Sequence, residues 1–152
     1  MRKYIGTKMI DARPMTRGEY NKYRGWMLPP DENPDDQGYL VRYPDGYESW
    51  SPWDVFEEAY RLTDAMNFGL ALEAAKMGEK IARAGWNGKG QYVELACCIA
   101  YLPWTRDRND AVNINHDDIG NMAFAFVGTR GVQLGWLASQ ADMLADDWYI
   151  VE

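Results

Sequence analysis

The sequence predicts an α+β protein in two parts. A small α+β accessory domain over residues 1–63 precedes a small antiparallel sheet packed with short helices over residues 66–152. Three observations carry that expectation. The chain has 152 residues and is 47% hydrophobic, enough to bury a core yet short enough for one domain or two small ones. Short strand-like runs alternate with glycine-bearing turns, as antiparallel pairing requires. Four segments open on residues suited to cap a helix, at Thr16, Ser51, Asn67 and Ser139.

The elements follow in chain order. Thr16 and Glu19 form a capping box: the hydroxyl accepts a backbone N–H while Glu19 reaches back. The helix it opens runs through Tyr20 and Tyr23 and ends near Gly25. The stretch LPPDENPDDQG is acidic and proline-rich, has no apolar face, and reads as a loop. Tyr39–Tyr43 and Tyr47–Ser51 predict a hairpin around Pro44-Asp45-Gly46, with Tyr39, Val41 and Tyr43 on one side. Ser51 is expected to cap a second helix, with Pro52 in its first turn, Asp54 at the positive end of its dipole, and an apolar stripe of Val55, Phe56, Ala59 and Leu62.

The boundary is expected at Thr63–Met66. Beyond it Asn67 caps a helix whose apolar spacing is Phe68, Ala71, Leu72 and Ala75, with Gly78 placed to end it. Lys80–Trp86 and Gln91–Cys98 read as strands joined by the glycine-rich Gly85–Gly90 turn. Pro103–Gly120 is a long polar insert, of a length usual for functional or mobile loops. Ala123–Val127 and Val132–Leu137 are two more strands. Ser139 and Asp142 form another capping box, opening a helix with Ala141, Leu144, Ala145 and Trp148 on one face, and Trp148–Val151 closes the chain as a strand.

Composition removes several classes of function. A net charge of −7 argues against binding DNA or RNA, which needs a basic face to displace phosphate counterions. It leaves room for a small anionic ligand, because Arg83, Lys89, Arg106, Arg108 and Arg130 all fall in the C-terminal half. Cys97 and Cys98 are neighbours that would point to opposite faces of a strand, so they are not expected to bridge each other. No apolar run reaches membrane-spanning length and the N-terminus lacks a signal-peptide core. The expectation is a reduced, cytosolic protein with no membrane association and no cofactor.

Catalytic templates fail in turn. HExxH, G-x-S-x-G and G-x-G-x-x-G are missing, and Gly88-Lys89-Gly90 lacks the remaining residues of a Walker loop. His116, Asp117 and Asp118 keep an enzymatic or metal role open, against the simpler reading of an exposed polar loop. The segment Arg83–Gly90 is richer. Trp86 among glycines can present its ring to a base, the glycines let backbone N–H groups approach an anion, and Arg83 and Lys89 can balance phosphate. By residue type alone, a tight hairpin with a packed tryptophan is the better explanation of this segment. Ser139 is similarly double: a helix cap, or part of a helix N-terminus offering donors to phosphate or ribose, with Trp136 and Gln140 beside it.

Two blocks carry a resemblance. Met66–Gly90 contains A-R-x-G-W-N-G-K-G after a helix, and Gly135–Glu152 contains W-x-x-S-Q-x-D-x-L-x-x-D-W. Together they resemble the second Thoeris anti-defence family, small phage proteins that sequester nucleotide immune signals. Carried across, Trp86, Asn87, Arg83 and Lys89 fall in the first motif, and Trp136, Ser139, Gln140 and Asp142 in the second. The resemblance implies a homo-oligomer, often a tetramer built from dimers, with pockets shared between subunits. It implies capture without cleavage of glyco-cyclic ADP-ribose made by TIR-domain sensors, in some members also of cyclic oligonucleotides, in the cytoplasm of the infected bacterium. Gly135 and Ala138 stand where members often carry proline, and the Pro103–Gly120 insert and residues 1–63 exceed the minimal domain. The N-terminal part resembles a domain often appended to phage proteins, a resemblance that assigns no activity. The rival expectations are a protein-interaction adaptor, for which the acidic Asp31–Asp36 loop speaks, and a nucleotide-degrading enzyme.

Overall fold

The computed structural model describes all residues except Tyr4, Lys89 and 97–121. The expectations for Cys97, Cys98, Arg106, Arg108, His116, Asp117, Asp118 and the Pro103–Gly120 insert therefore lie outside the described residues, as does Lys89. The chain divides into two compact units, Met1–Arg61 and Leu62–Glu152. The architecture is α+β in both, with four helices and two antiparallel sheets among the described residues.

The first unit is a three-stranded sheet, β1 (Asp11–Pro14), β2 (Gly38–Arg42) and β3 (Glu48–Pro52), with α1 (Arg17–Arg24) and α2 (Trp53–Ala59). The capping box of α1 forms as its sequence dictates: Glu19 N–H donates to Thr16 Oγ1 and Thr16 N–H to Glu19. The central strand β2 buries successive residues, Leu40 and Val41, so both of its faces are covered. Leu40 joins Met15, Tyr20 and Trp50 in one cluster, while Tyr39 stacks on Phe56 of α2 at 3.9 Å.

The start of α2 departs from expectation. Ser51 belongs to β3, paired with Tyr39, and Pro52 occupies the cap position with no side-chain bond. The strand runs straight into the helix, leaving no loop residue to turn its side chain back. The apolar stripe differs too: Val55 and Leu62 are exposed, at 53% and 74%. Aromatic stacking set the face instead, because Trp53 and Phe56 meet Tyr39, and Tyr60 follows Phe56.

The second unit is a five-stranded sheet in the order β7-β6-β5-β4-β8. Its strands are β4 (Ile81–Arg83), β5 (Tyr92–Ala96), β6 (Ala123–Gly128), β7 (Gly131–Leu134) and β8 (Trp148–Ile150). All neighbours are antiparallel. Helix α3 (Phe68–Lys76) packs on it, and a single turn, α4 (Gln140–Met143), precedes β8. Asn67 caps α3 by accepting Leu70 N–H at 3.0 Å. Its buried face is Ala71, Ala74 and Ala75, with Leu72 only half-buried. Three small side chains let the helix approach closely, and the space is filled from the sheet by Trp148, Ile81 and Val93, all fully buried.

Two strands, β4 and β7, and one helix end earlier than the sequence predicts. β4 stops at Arg83, so Trp86 stands beyond it, its N–H returning to Arg83 C=O at 3.2 Å. β7 stops at Leu134 because Gly135 turns with φ +76°. Helix α4 does not extend to Leu144, which is 80% exposed, or to Trp148. Trp148 pairs opposite Arg83 in the sheet instead, and its indole N–H bonds Asp142 C=O at 2.9 Å, a carbonyl that a longer helix would have used internally.

Candidate functional site

The turn after β4, the end of β7 and the start of α4 converge on one side of the second unit. There they border an open cleft of about 450 Å³, lined by Trp86, Asn87, Gly88, Gln91, Phe126, Trp136 and Asp142. This volume falls within the range of small-molecule sites.

Its aromatic wall is a cluster. The Trp86 ring meets Phe126, Trp136 and Trp148 edge-to-face, with centroids at 5.6, 6.0 and 5.4 Å. Trp136 also meets Trp148, at 6.2 Å and 76°. Trp148 is fully buried, whereas Trp86 and Trp136 are half-buried and keep a free edge on the cleft. Trp86 and Trp136 lie 70° apart, so they flank the space as two walls and do not form a parallel pair with a slot between them.

Two backbone devices set these rings. After Gly135, the N–H groups of Gly135 and Trp136 both donate to Phe124 C=O, at 2.9 and 3.0 Å, which turns Trp136 back over the sheet. Proline is fixed near φ −65° and lacks the N–H, so this rim cannot be built with proline at position 135. After β4, Asp147 accepts Gly85 N–H at 2.8 Å and its backbone C=O accepts Ala84 N–H at 3.1 Å. A Cβ on Gly85 would stand 2.9 Å from Asp147 Oδ2, so glycine permits the approach.

Asp142 is the polar centre. Oδ1 accepts from Arg83 Nη1 at 2.9 Å and Trp86 Nε1 at 3.0 Å; Oδ2 accepts from Ser139 N–H at 3.0 Å and Ser139 Oγ at 2.7 Å. Burial opposes ionisation here, but the bonds from Ser139, Arg83 and Trp86 outweigh it and hold the carboxyl at about 2. Arg83 also donates from Nε to Asp147 Oδ1 at 2.7 Å, and the bond and charge of that guanidinium hold Asp147 below the usual carboxylate range. The same two carboxylates, Asp147 first, push Arg83 above its ordinary value.

The structure thus separates the residues singled out in the sequence. Trp86, Asn87, Trp136 and Asp142 line the cleft together. Arg83 and Ser139 stand behind it, joined through Asp142, and the guanidinium is already answered by two carboxylates. Gln140 is exposed on α4 and outside the lining. Gln91 and Phe126 were not expected. Phe126 enters because β6 pairs it with Val93, and register is invisible in one sequence. Gln91 lies across Gly88, where an added Cβ would meet its Cδ at 1.9 Å; a polar side chain directly after a glycine-rich turn was the available signal. Among the described residues, no three His, Cys, Asp or Glu side chains gather closely enough to hold a metal ion.

The comparisons with known proteins bear on this same part of the chain. Residues 66–151 match the model of the Tad2-like family, described as the Thoeris anti-defense 2-like domain. The chain belongs to that family. Thoeris anti-defense 2 of Bacillus phage SP01 is 37% identical over 86 residues, covering 57% of this chain and 94% of the relative. The Tad2-like domain contains every residue of the cleft, and family membership places the chain among anti-defence proteins. No described helix is long and apolar enough to cross a membrane.

Proposed function

We propose that the Tad2-like domain is a sponge: it captures a cyclic nucleotide second messenger, glyco-cyclic ADP-ribose by family resemblance, and holds it uncleaved. In this reading the protein is phage-encoded, acts in the cytoplasm of the infected bacterium, and silences a signal made by TIR-domain sensors. The observation that carries the reading is the cleft itself. Its rings are held before any ligand arrives, by the Asp142 bond to the Trp86 indole and by the Gly135 turn beneath Trp136. Preorganised aromatic walls with polar groups on the floor suit a purine joined to riboses.

Trp86 and Trp136 flank the base, and the amides of Asn87 and Gln91 bond its polar edges. Ser139 and Asp142 act by positioning, because their oxygens are engaged with each other, Arg83 and Trp86. Phosphate charge is assigned to Lys89 in preference to Arg83, whose own charge is paired twice. The cleft is open on one side, where a second copy in a homo-oligomer, a tetramer by family resemblance, would complete it.

A sequester-and-release experiment tests this. Purified protein is mixed with cyclic ADP-ribose isomers and cyclic oligonucleotides, filtered, then denatured and analysed by chromatography. Ligand lost from the filtrate and recovered unchanged is the expected result. A new product would make the protein an enzyme, and no retention would sink the sponge. Trp86→Phe keeps most of the packing but loses the indole bond to Asp142, and it should weaken capture about tenfold, the equivalent of one charge-assisted hydrogen bond.

A further inference from the structure

The first unit holds a second cleft, of about 750 Å³, lined by Asp36, Gln37, Trp50, Pro52, Trp53 and Asp54. We infer that it docks an arginine-bearing peptide segment of a partner protein, the guanidinium lying on Trp53 with its charge toward Asp36 and Asp54. Three observations meet there.

The first is an unused aromatic face. Trp53 stacks on Tyr39 at 5.4 Å yet remains 50% exposed. Several other rings of this unit do carry a cation: Tyr43 meets Lys8, Tyr23 meets Arg13, Trp26 meets Arg24 and Trp50 meets Arg17, within 4.9 to 5.9 Å. Among the described residues no cation stands over Trp53. Tryptophan is the best ring for a guanidinium, which stacks flat and is weakly hydrated.

The second is unanswered charge. Asp36 and Asp54 are exposed, and neither carboxylate has a hydrogen bond or ion pair among the described residues. Helix α2 carries Asp54, Glu57 and Glu58 with no Lys or Arg. Arg17, which lies over the Trp50 ring, is tied to Glu32 by two bonds at 2.5 and 2.7 Å. A field of this sign rejects nucleic acid and selects a cation.

The third is size. A single guanidinium leaves most of a 750 Å³ cleft empty, whereas a few residues of peptide fill it. Pro52 and the indoles supply apolar surface for the neighbouring side chains. The cleft lies wholly within Met1–Arg61, outside the Tad2-like match, so the inference does not depend on nucleotide capture.

The test uses the full chain and fluorescein-labelled Gly-Arg-Gly-Arg-Gly, with the Glu and Pro counterparts as controls, read by fluorescence polarisation at low and physiological salt. Saturable binding of the arginine peptide alone, weakened by salt, is expected. Asp36→Asn with Asp54→Asn should lower affinity about tenfold without disturbing the fold, because both side chains are exposed and unpaired. Trp53→Phe, which keeps the stack on Tyr39, should lower it severalfold, and Trp86→Phe should leave it unchanged. No saturable binding, equal binding of the Glu or Pro peptide, or indifference to the aspartate pair would overturn the inference.

Discussion

Replacing Asp142 by Asn gives the sharpest test of how the cleft is held. The amide matches the carboxylate in shape but offers one acceptor oxygen where four donors converge. Either Arg83 and Trp86 or the two Ser139 donors must then face an NH₂ group. The magnitude follows from proton affinity. The carboxyl is held at about 2 against an ordinary 3.8, and each tenfold in affinity is worth roughly 1.4 kcal/mol, so the ionised group stabilises the fold by about 2 kcal/mol. Its side chain is only 13% exposed, so solvent screening takes little of this. Loss of hydrogen bonds to a charged group independently gives about 1.5–3 kcal/mol.

The assay is urea unfolding followed by tryptophan fluorescence, for wild type and Asp142→Asn, at neutral pH and then stepwise into acid. The folded carboxyl is depressed below its unfolded value. Its contribution is therefore complete above about pH 5 and disappears as pH falls through 4 toward 2. The variant should unfold about 2 kcal/mol more easily at neutral pH, and the gap should close on acidification. Equal stability at neutral pH, or a gap that persists at pH 2, would refute the account of Asp142 as the ionised centre of the site.

Two further outcomes are expected. Gly135→Pro removes the N–H that bonds Phe124 C=O and forbids a φ of +76°, so the thermal midpoint should fall by the equivalent of about 2 kcal/mol or more. Circular dichroism of the tryptophan bands should change with it as Trp136 moves. Gly88→Ala puts a methyl group where the Gln91 amide lies, 1.9 Å from its Cδ; the amide is displaced, and nucleotide retention in the filtration assay should drop while the thermal midpoint barely moves.

Much of the local structure was legible in the residues. Both capping boxes, the Asn67 cap, the Gly46 and Gly78 turns and the hairpin around Pro44–Gly46 depend on side chains within a few positions of one another. Their physics is local, so spacing suffices. The α+β class followed from the same signals, and Trp86 and Trp136 were recognisable as ring-bearing positions beside glycines and a helix start. Element ends were read less well. Ser51 went to a strand because its backbone is taken by the pairing with Tyr39, and α2 chose its aromatic face over Val55 and Leu62 because Tyr39 was waiting across the unit.

What only the tertiary structure decided is which residues share the cleft and what each is free to do. Arg83 looked available for phosphate, and two aspartates about sixty positions away consume its charge. Asp142 looked like a helix cap with its own ligand role, and it proves to tie the cap, a guanidinium and an indole together. Gln91 and Phe126 gave no motif, yet one lies over Gly88 and the other reaches the same space through strand register. Sequence alone determines the interactions a residue makes with its neighbours in the chain. Long-range pairing decides which polar groups are spent on holding the fold, and only the remainder is left for a ligand.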